Sequence, residues 1–210
     1  MAARSTSGCG AKISSSSADP MTLVARAVWL ALPVVLAGAT HIFVIRRDLW
    51  PGLARVPLDG GATFRGRRVL GDHKTVRGAV VMAGATVAFA GAQAALAACW
   101  PAARALAFDH GTHWLPWGLL LGIGYVVGEL PNSFVKRQLD VRPGAAAPGL
   151  LAPLFWLADQ LDSLVGVLCL MALAWVPPAA VVAALTLVTL AVHPAMALLM
   201  VALGLKQRVG

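Results

Sequence analysis

Charge is what this sequence has least of. Aspartate, glutamate, lysine and arginine make up 12% of the 210 residues, while 59% are hydrophobic. The mean hydropathy is +0.76. A soluble domain carries roughly 25% charged residues, so this scarcity excludes a soluble globule and leaves an integral membrane protein. Cysteine is nearly missing too. Cys9, Cys99 and Cys169 stand far apart, with no C-x-x-C and no Cys/His spacing. That sets aside a disulfide framework and a zinc site; Cys99 and Cys169 read as small packing residues. Acids number nine against 17 lysines and arginines, giving a net charge of +8. In a soluble chain that excess would suggest nucleic acid. In a chain this apolar it reads as orientation and as anionic phosphate nearby. Long polar segments are lacking, which excludes a separate soluble domain, and there is no internal repeat.

What is there is a series of apolar runs. Five of them, at about 22–45, 78–98, 113–131, 149–175 and 179–204, approach the roughly 20 residues a spanning helix needs. The expected fold is therefore all-α, a polytopic membrane helix bundle of about five transmembrane helices. Pro33 and Pro194 fall inside two runs, which membrane helices tolerate. Small residues crowd the second run, where helix backbones can approach closely. Residues 1–20 are rich in Ser, Gly and Ala and lack periodicity. They read as a disordered tail, with few acids as in a transit peptide, or as an extension ahead of an alternative start at Met21. Residues 21–210 read as a single transmembrane domain, and a homodimer is compatible with such a bundle.

Lys and Arg give the orientation. Thirteen of the 17 fall in the 46–77 loop, the 132–148 loop and the C-terminus. Only Arg4, Lys12, Arg26 and Arg104 fall on the other side. The expectation is a multi-pass protein of the cell (inner, cytoplasmic) membrane, with the first and third loops in the cytoplasm.

Three stretches hold chemistry that lipid would not tolerate idly. In "LADQLDSLVG", residues 157–166, Asp159 and Asp162 share a helix face with Ser163. Carboxylates in a bilayer need partners, water or a cation. A structural pair bonded to a neighbouring base is the bland account. Hard oxygen ligands for Mg²⁺, completed by phosphates, are the functional one. In "GELPNSFVKRQLDVRPG", residues 128–144, a helix continuing past Pro131 would gather Glu129, Asn132, Ser133, Lys136, Arg137 and Asp140. A positive-inside anchor explains Lys136 and Arg137 but not the small polar residues beneath them. In "FRGRRVLGDHKTVRGA", residues 64–79, the Walker spacing G-x-x-x-x-G-K-[ST] is absent, because Asp72 and His73 intervene before Lys74. Arg65, Arg67, Arg68, Lys74 and Arg77 could still grip phosphates, or simply form a solvated basic loop. His193, beside Pro194, reads as a helix-kink histidine bonded to a backbone group, with reach into the site as the alternative. His73 is placed to contact phosphate. His41, His110 and His113 read as peripheral, and Trp114 and Trp117 as interfacial aromatics.

In this order, "PLDGGATFRGRRVLGDHKTVRG" (57–78), "GELPNSFVKRQLDVRPG" (128–144) and "PGLLAPLFWLADQLDSLVG" (148–166) resemble the CDP-archaeol synthase family of membrane cytidylyltransferases, related to CDP-diacylglycerol synthases. The resemblance covers about residues 30–205. It implies a transfer of CMP from CTP to a phosphorylated glycerolipid, archaetidic acid-type or phosphatidate, with release of pyrophosphate and with Mg²⁺ as cofactor. Carried over by position, Asp72, Lys74, Thr75 and Arg77 match the first motif. Ser133, Lys136 and Arg137 match the second, and Asp159 and Asp162 match the acidic metal-binding third. Glu129 stands where the family typically has Asp, and Val76 and Gln138 replace the commoner Trp and Arg.

On this basis Asp72, Lys74, Asp159 and Asp162 are the expected catalytic residues, with Asp159 and Asp162 as metal ligands. Thr75, Arg77, Asn132, Ser133, Lys136 and Arg137 are the expected phosphate-binding residues. The expected partners are CTP, the lipid and the membrane, and not nucleic acid. An ion-coupled transporter using the two aspartates as a relay is a rival reading, but it does not call for two basic loops on one side. A non-catalytic protein that binds anionic lipid is a second rival.

Overall fold

The computed structural model describes residues 19–143, 145 and 149–205. Five helices are long and apolar enough to span a bilayer: α1 (Pro20–Arg46), α3 (Val76–Cys99), α5 (Trp114–Gln138), α6 (Ala152–Met171) and α7 (Ala179–Ala202). The expected all-α membrane bundle is therefore the observed one. Short helices α2 (Pro51–Ala54) and α4 (Pro101–Leu106) lie in the first two connections, each opened by a proline. Proline lacks the N–H that a first turn leaves unbonded anyway. The expected tail, residues 1–20, lies almost wholly outside the described residues.

The helix limits differ from the expected ones in one place that matters. α5 does not stop near 131. It runs through Pro131 to Gln138 and carries the whole Asn132–Arg137 cluster as helix. The backbone bond that Pro131 cannot make costs one rung, not the helix.

α5 is central, packing on α3 along one side and on α6 along the other, while α1 packs on α3 and α7. Small residues permit both α5 seams. A Cβ at Gly118 would lie 2.7 Å from the Val87 Cα, and one at Gly122 2.8 Å from the Ala83 Cα. On the opposite face Gly124 and Gly128 meet Gly166, where an added Cβ would strike the Gly124 carbonyl oxygen and the Gly128 backbone. These are small-xxx-small contacts, in which attraction comes from backbone proximity. The crowding of small residues expected for the second span is thus matched on the third and fourth.

The two ends of the bundle differ in chemistry. Ala27, Leu30, Trp117, Leu121, Met171, Val181 and Leu185 form a buried apolar cluster where α1, α5 and α7 begin and α6 ends. The polar residues collect at the other end.

That end is covered by the 47–75 connection, which is ordered. Leu58 donates its N–H to the Lys74 carbonyl (2.8 Å), and Val76 to that of Val56 (2.9 Å). Strands β1 (Thr63–Phe64) and β2 (Arg67–Arg68) form a hairpin whose tip residues, Arg65 and Gly66, both have positive φ. That twist matches paired strands. Asp59 organises the base. Its carboxylate accepts from the Leu70 N–H (2.8 Å), the Gly61 N–H (3.0 Å) and the Arg68 guanidinium (3.0 Å). Burial alone would raise its pKa; those donors outweigh it and hold the carboxyl below its usual value. The hairpin is fastened to the end of α5. The Phe64 and Phe134 rings lie 5.9 Å apart, Arg67 pairs with Asp140 at 2.6 Å, and Gln138 donates to the Arg68 carbonyl at 3.2 Å.

Three substitutions have expected outcomes. Gly166→Leu forces α5 and α6 apart at a cost of about 1–3 kcal/mol, seen as a lowered Tm in detergent. Gly84→Ala, whose Cβ meets nothing within 4 Å, leaves Tm unchanged or slightly raised. Asp59→Asn loosens the hairpin and speeds tryptic cleavage at Arg65, Arg67 and Arg68. In the unsubstituted chain this protection holds at neutral pH and fades only as pH falls through the lowered pKa of Asp59.

Candidate active site

The site is assembled from two helix faces and one helix start. On α5, spacings of three and four residues bring Tyr125, Glu129, Asn132 and Lys136 onto one face, with Ser133 and Arg137 beside them. On α6, Asp159, Asp162 and Ser163 face them across the glycine seam. α3 starts at Thr75, whose hydroxyl accepts from the Gly78 N–H at 3.3 Å and so sets Lys74 at the helix mouth. All these residues line one cavity of about 580 Å³.

The acids and bases interlock. The Asn132 amide donates to Asp159 Oδ1 (2.7 Å) and to Asp162 Oδ2 (2.8 Å), drawing the two carboxylates to a common point. Lys136 Nζ lies 2.5 Å from both oxygens of Asp159. Lys74 pairs with Glu129, and Tyr125 is within hydrogen-bonding reach of the same carboxylate. Asp162 also accepts from the Ser163 N–H at 2.6 Å. Among the described residues Asp162 has no lysine or arginine partner, whereas Asp159 and Glu129 each have one.

The opposite imbalance lies on the same wall. Arg137 is 8% exposed and Ser133 6% exposed. Nε and Nη1 of Arg137 and Oγ of Ser133 are buried without a hydrogen-bond partner among the described residues. A buried cation with unused donors is costly unless an anion meets it. The wall therefore has the chemistry of a phosphate seat.

The donor set suits a hard divalent cation. Two carboxylates converge on one amide, one of them with no lysine or arginine partner among the described residues, and a lysine ammonium already stands on the chelating side of the other. Mg²⁺ takes oxygen ligands and commonly completes its shell with water and phosphate. Among the described residues no group of three or more His, Cys, Asp or Glu could enclose a metal by itself. An ion here would be held by Asp159 and Asp162 with help from substrate.

The structure brings together Lys74, Thr75, Asn132, Ser133, Lys136, Arg137, Asp159 and Asp162. It does not bring in Asp72 or Arg77, two of the residues expected at the site. The Asp72 side chain is 79% exposed and pairs with Arg68 at 2.5 Å. Arg77 turns away to Asp48 (2.9 Å) and the Leu49 carbonyl (3.1 Å), bracing the corner after α1. Both lie within a few residues of Lys74, but the chain direction reverses around Gly71–Lys74 and aims them elsewhere.

Other wall residues escaped the sequence reading. His41, read as peripheral, lines the cavity; a Cβ on Gly78 would come within 3.3 Å of its ring. Tyr125, four residues before Glu129, could have been found by extending the helical spacing backward. Gln160, which the sequence did not single out, is buried and lies 3.2 Å from His193 Nδ1; His193 reaches the wall, the alternative that its sequence reading leaves open. His73 is exposed on one side, but its ring lies over Gly71 next to Arg137. Enclosure by the wall, with Lys74 and Arg137 close by, lowers its pKa to about 4. It is neutral at physiological pH.

A family model described as CarS-like, CDP-archaeol synthase, matches residues 21–209. A CDP-archaeol synthase of Halorubrum lacusprofundi is 38% identical over 69% of this chain and 70% of its own length. One of Methanopyrus kandleri is 34% identical over 80% of this chain and 83% of its own. One of Thermofilum pendens is 33% identical over 87% and 79%. A solved structure of an intramembrane enzyme for archaeal membrane lipid biosynthesis superposes with a TM-score of 0.57 at 30% identity. It spans 80% of this chain and 90% of that one.

Gly71 gives a test of the wall. A Cβ there would meet the His73 ring at 2.5 Å and Arg137 Nη1 at 3.3 Å. Gly71→Ala is expected to displace both and weaken nucleotide binding at least several-fold, measured by calorimetry, with a Tm close to that of the parent protein.

Proposed function

Because the chain belongs to the CDP-archaeol synthase family, we propose that it transfers CMP from CTP to a phosphorylated glycerolipid, releasing pyrophosphate, in a Mg²⁺-dependent reaction. The observation that carries this reading is the double character of one cavity. Its polar wall holds Lys74, Lys136, the unpaired donors of Arg137 and Ser133, and the aspartate pair. Its other wall is apolar, built by Val34, Gly38 and Ile42 of α1 and Val188, Val192 and Met196 of α7. An amphiphile with a phosphate head and long chains matches both walls at once.

The reaction follows from the groups present. An oxygen of the lipid phosphate attacks the α-phosphorus of CTP; the new P–O bond forms as the bond to the β-phosphate oxygen breaks, and pyrophosphate departs. That oxygen is already ionised at neutral pH, so no general base is needed, in keeping with a neutral His73. The work of the site is to hold two anions together and to stabilise charge on the reacting phosphate and on the leaving group. Lys74, at the positive end of α3, and Lys136 and Arg137, in the last turns of α5, supply three cations for that work. Asn132, Ser133 and Thr75 offer hydrogen bonds. When bound between Asp159 and Asp162, Mg²⁺ would supply Lewis-acid stabilisation of phosphate charge.

The basic loops lie at the cavity end of the bundle, so CTP would arrive from the cytoplasm and lipid from the bilayer. Ester- and ether-linked phosphorylated glycerolipids share the head group this wall would recognise, and both belong in the assay.

Purified protein with radiolabelled CTP, Mg²⁺ and either lipid is expected to yield labelled CDP-lipid, and chelation to abolish it. Asp162→Asn and Arg137→Ala should each lower kcat/KM about 100-fold or more, the scale for losing one preorganised charge-stabilising group. Absence of product with both lipids from folded protein would overturn the reading, and full activity in Asp162→Asn would overturn the metal role.

A further inference from the structure

Lys136 occupies an unusual place for a phosphate-binding lysine. Its ammonium lies 2.5 Å from both oxygens of Asp159. That is the chelating side of the carboxylate, where a divalent cation would sit at roughly 2.0–2.1 Å. The side chain is 12% exposed, and its ammonium lies over the Phe155 ring, 5.8 Å from the centroid. A monovalent and a divalent cation cannot share that position.

We propose that Lys136 is a place-holding cation. It seals Asp159 against a metal ion until a nucleotide phosphate takes over the ammonium, and so it sets the order in which the site is filled. This rests on the metal role given above to Asp159 and Asp162 and adds the group that controls it.

The physical argument is a balance of buried charge. Asp159 is neutralised by Lys136 and Glu129 by Lys74, while Asp162 has Asn132 and a backbone N–H but no lysine or arginine among the described residues. A metal arriving alone would evict a largely buried ammonium and leave it beside Arg137 with no counter-ion. An unpaired buried charge is heavily penalised. A triphosphate removes the penalty, because the released ammonium and the unused donors of Arg137 gain an anion together. Metal binding without nucleotide is thereby held weak by this chain's own lysine.

The test is binding of Mn²⁺ alone, with no nucleotide, to detergent-solubilised protein, read by electron paramagnetic resonance of the free ion. Lys136→Met is expected to half-saturate at a Mn²⁺ concentration at least tenfold lower than wild type. Lys136→Arg, which keeps the charge, should bind as weakly as wild type. A merely structural lysine would not give tighter binding on removal. Lys136→Met binding Mn²⁺ no more tightly than wild type overturns the proposal. If binding is also abolished by Asp162→Asn, the metal site itself stands and only the lysine's role falls. If neither protein binds Mn²⁺, with or without CTP, the metal assignment falls too. Should Lys136→Met not fold, amine-reactive labelling of wild type followed by mass spectrometry decides. Saturating Mn²⁺ without CTP is expected to raise labelling of Lys136 several-fold, and unchanged labelling overturns the proposal.

Discussion

The contact of α5 with α6 at Gly124, Gly128 and Gly166 is the constraint on which the site depends. The two aspartates sit on one helix, and Asn132 and most of the bases sit on the other. Only because no side chain separates the two backbones can a single amide, that of Asn132, reach Asp159 and Asp162 together. In lipid such a seam cannot rely on the hydrophobic effect, since the surroundings are as apolar as the interface. It must come from backbone proximity, which three glycines permit and any larger residue denies. Packing and chemistry are here one feature: what lets the helices touch also lets the carboxylates converge.

The second organising fact is how charge is divided. Buried ionised groups persist in a membrane when they are paired. This bundle pairs most of them, Lys74 with Glu129 and Lys136 with Asp159, and leaves unused capacity at Asp162 and Arg137. The unpaired capacities have opposite sign and line one cavity. That pattern suits the metal and the polyphosphate of the proposed reaction, because each would bring the charge that one of these residues lacks.

Much of this was legible in the sequence. Five spans, the aspartate pair and the Asn132–Arg137 cluster followed from hydropathy and helical spacing, and the family followed from three quoted stretches. The continuation of α5 through Pro131 had to be assumed for that cluster to form, and it is observed. What could not be read was the direction in which loop residues point. Asp72 and Arg77 flank Lys74 closely, yet one faces solvent and the other braces the corner at Asp48. Their motif positions carry no information about the reversal of the chain between Gly71 and Lys74. His41 was misread for a related reason. Its place in the wall depends on how α1 packs against the start of α3, and no periodicity within α1 reveals that. Glu129 shows the opposite case: the longer acid in place of Asp still finds a partner, because Lys74 reaches down to it from the helix mouth.

The apolar cluster at the far end has a bearing on permeability. A cavity lined by five or more ionisable groups interrupts the apolar barrier that a membrane bundle otherwise presents. At the far end Trp117, Leu121, Met171 and their neighbours pack as buried apolar side chains, and Leu121 and Met171 form the floor of that cavity. Packed apolar side chains thus stand between the polar cavity and the opposite end of the bundle.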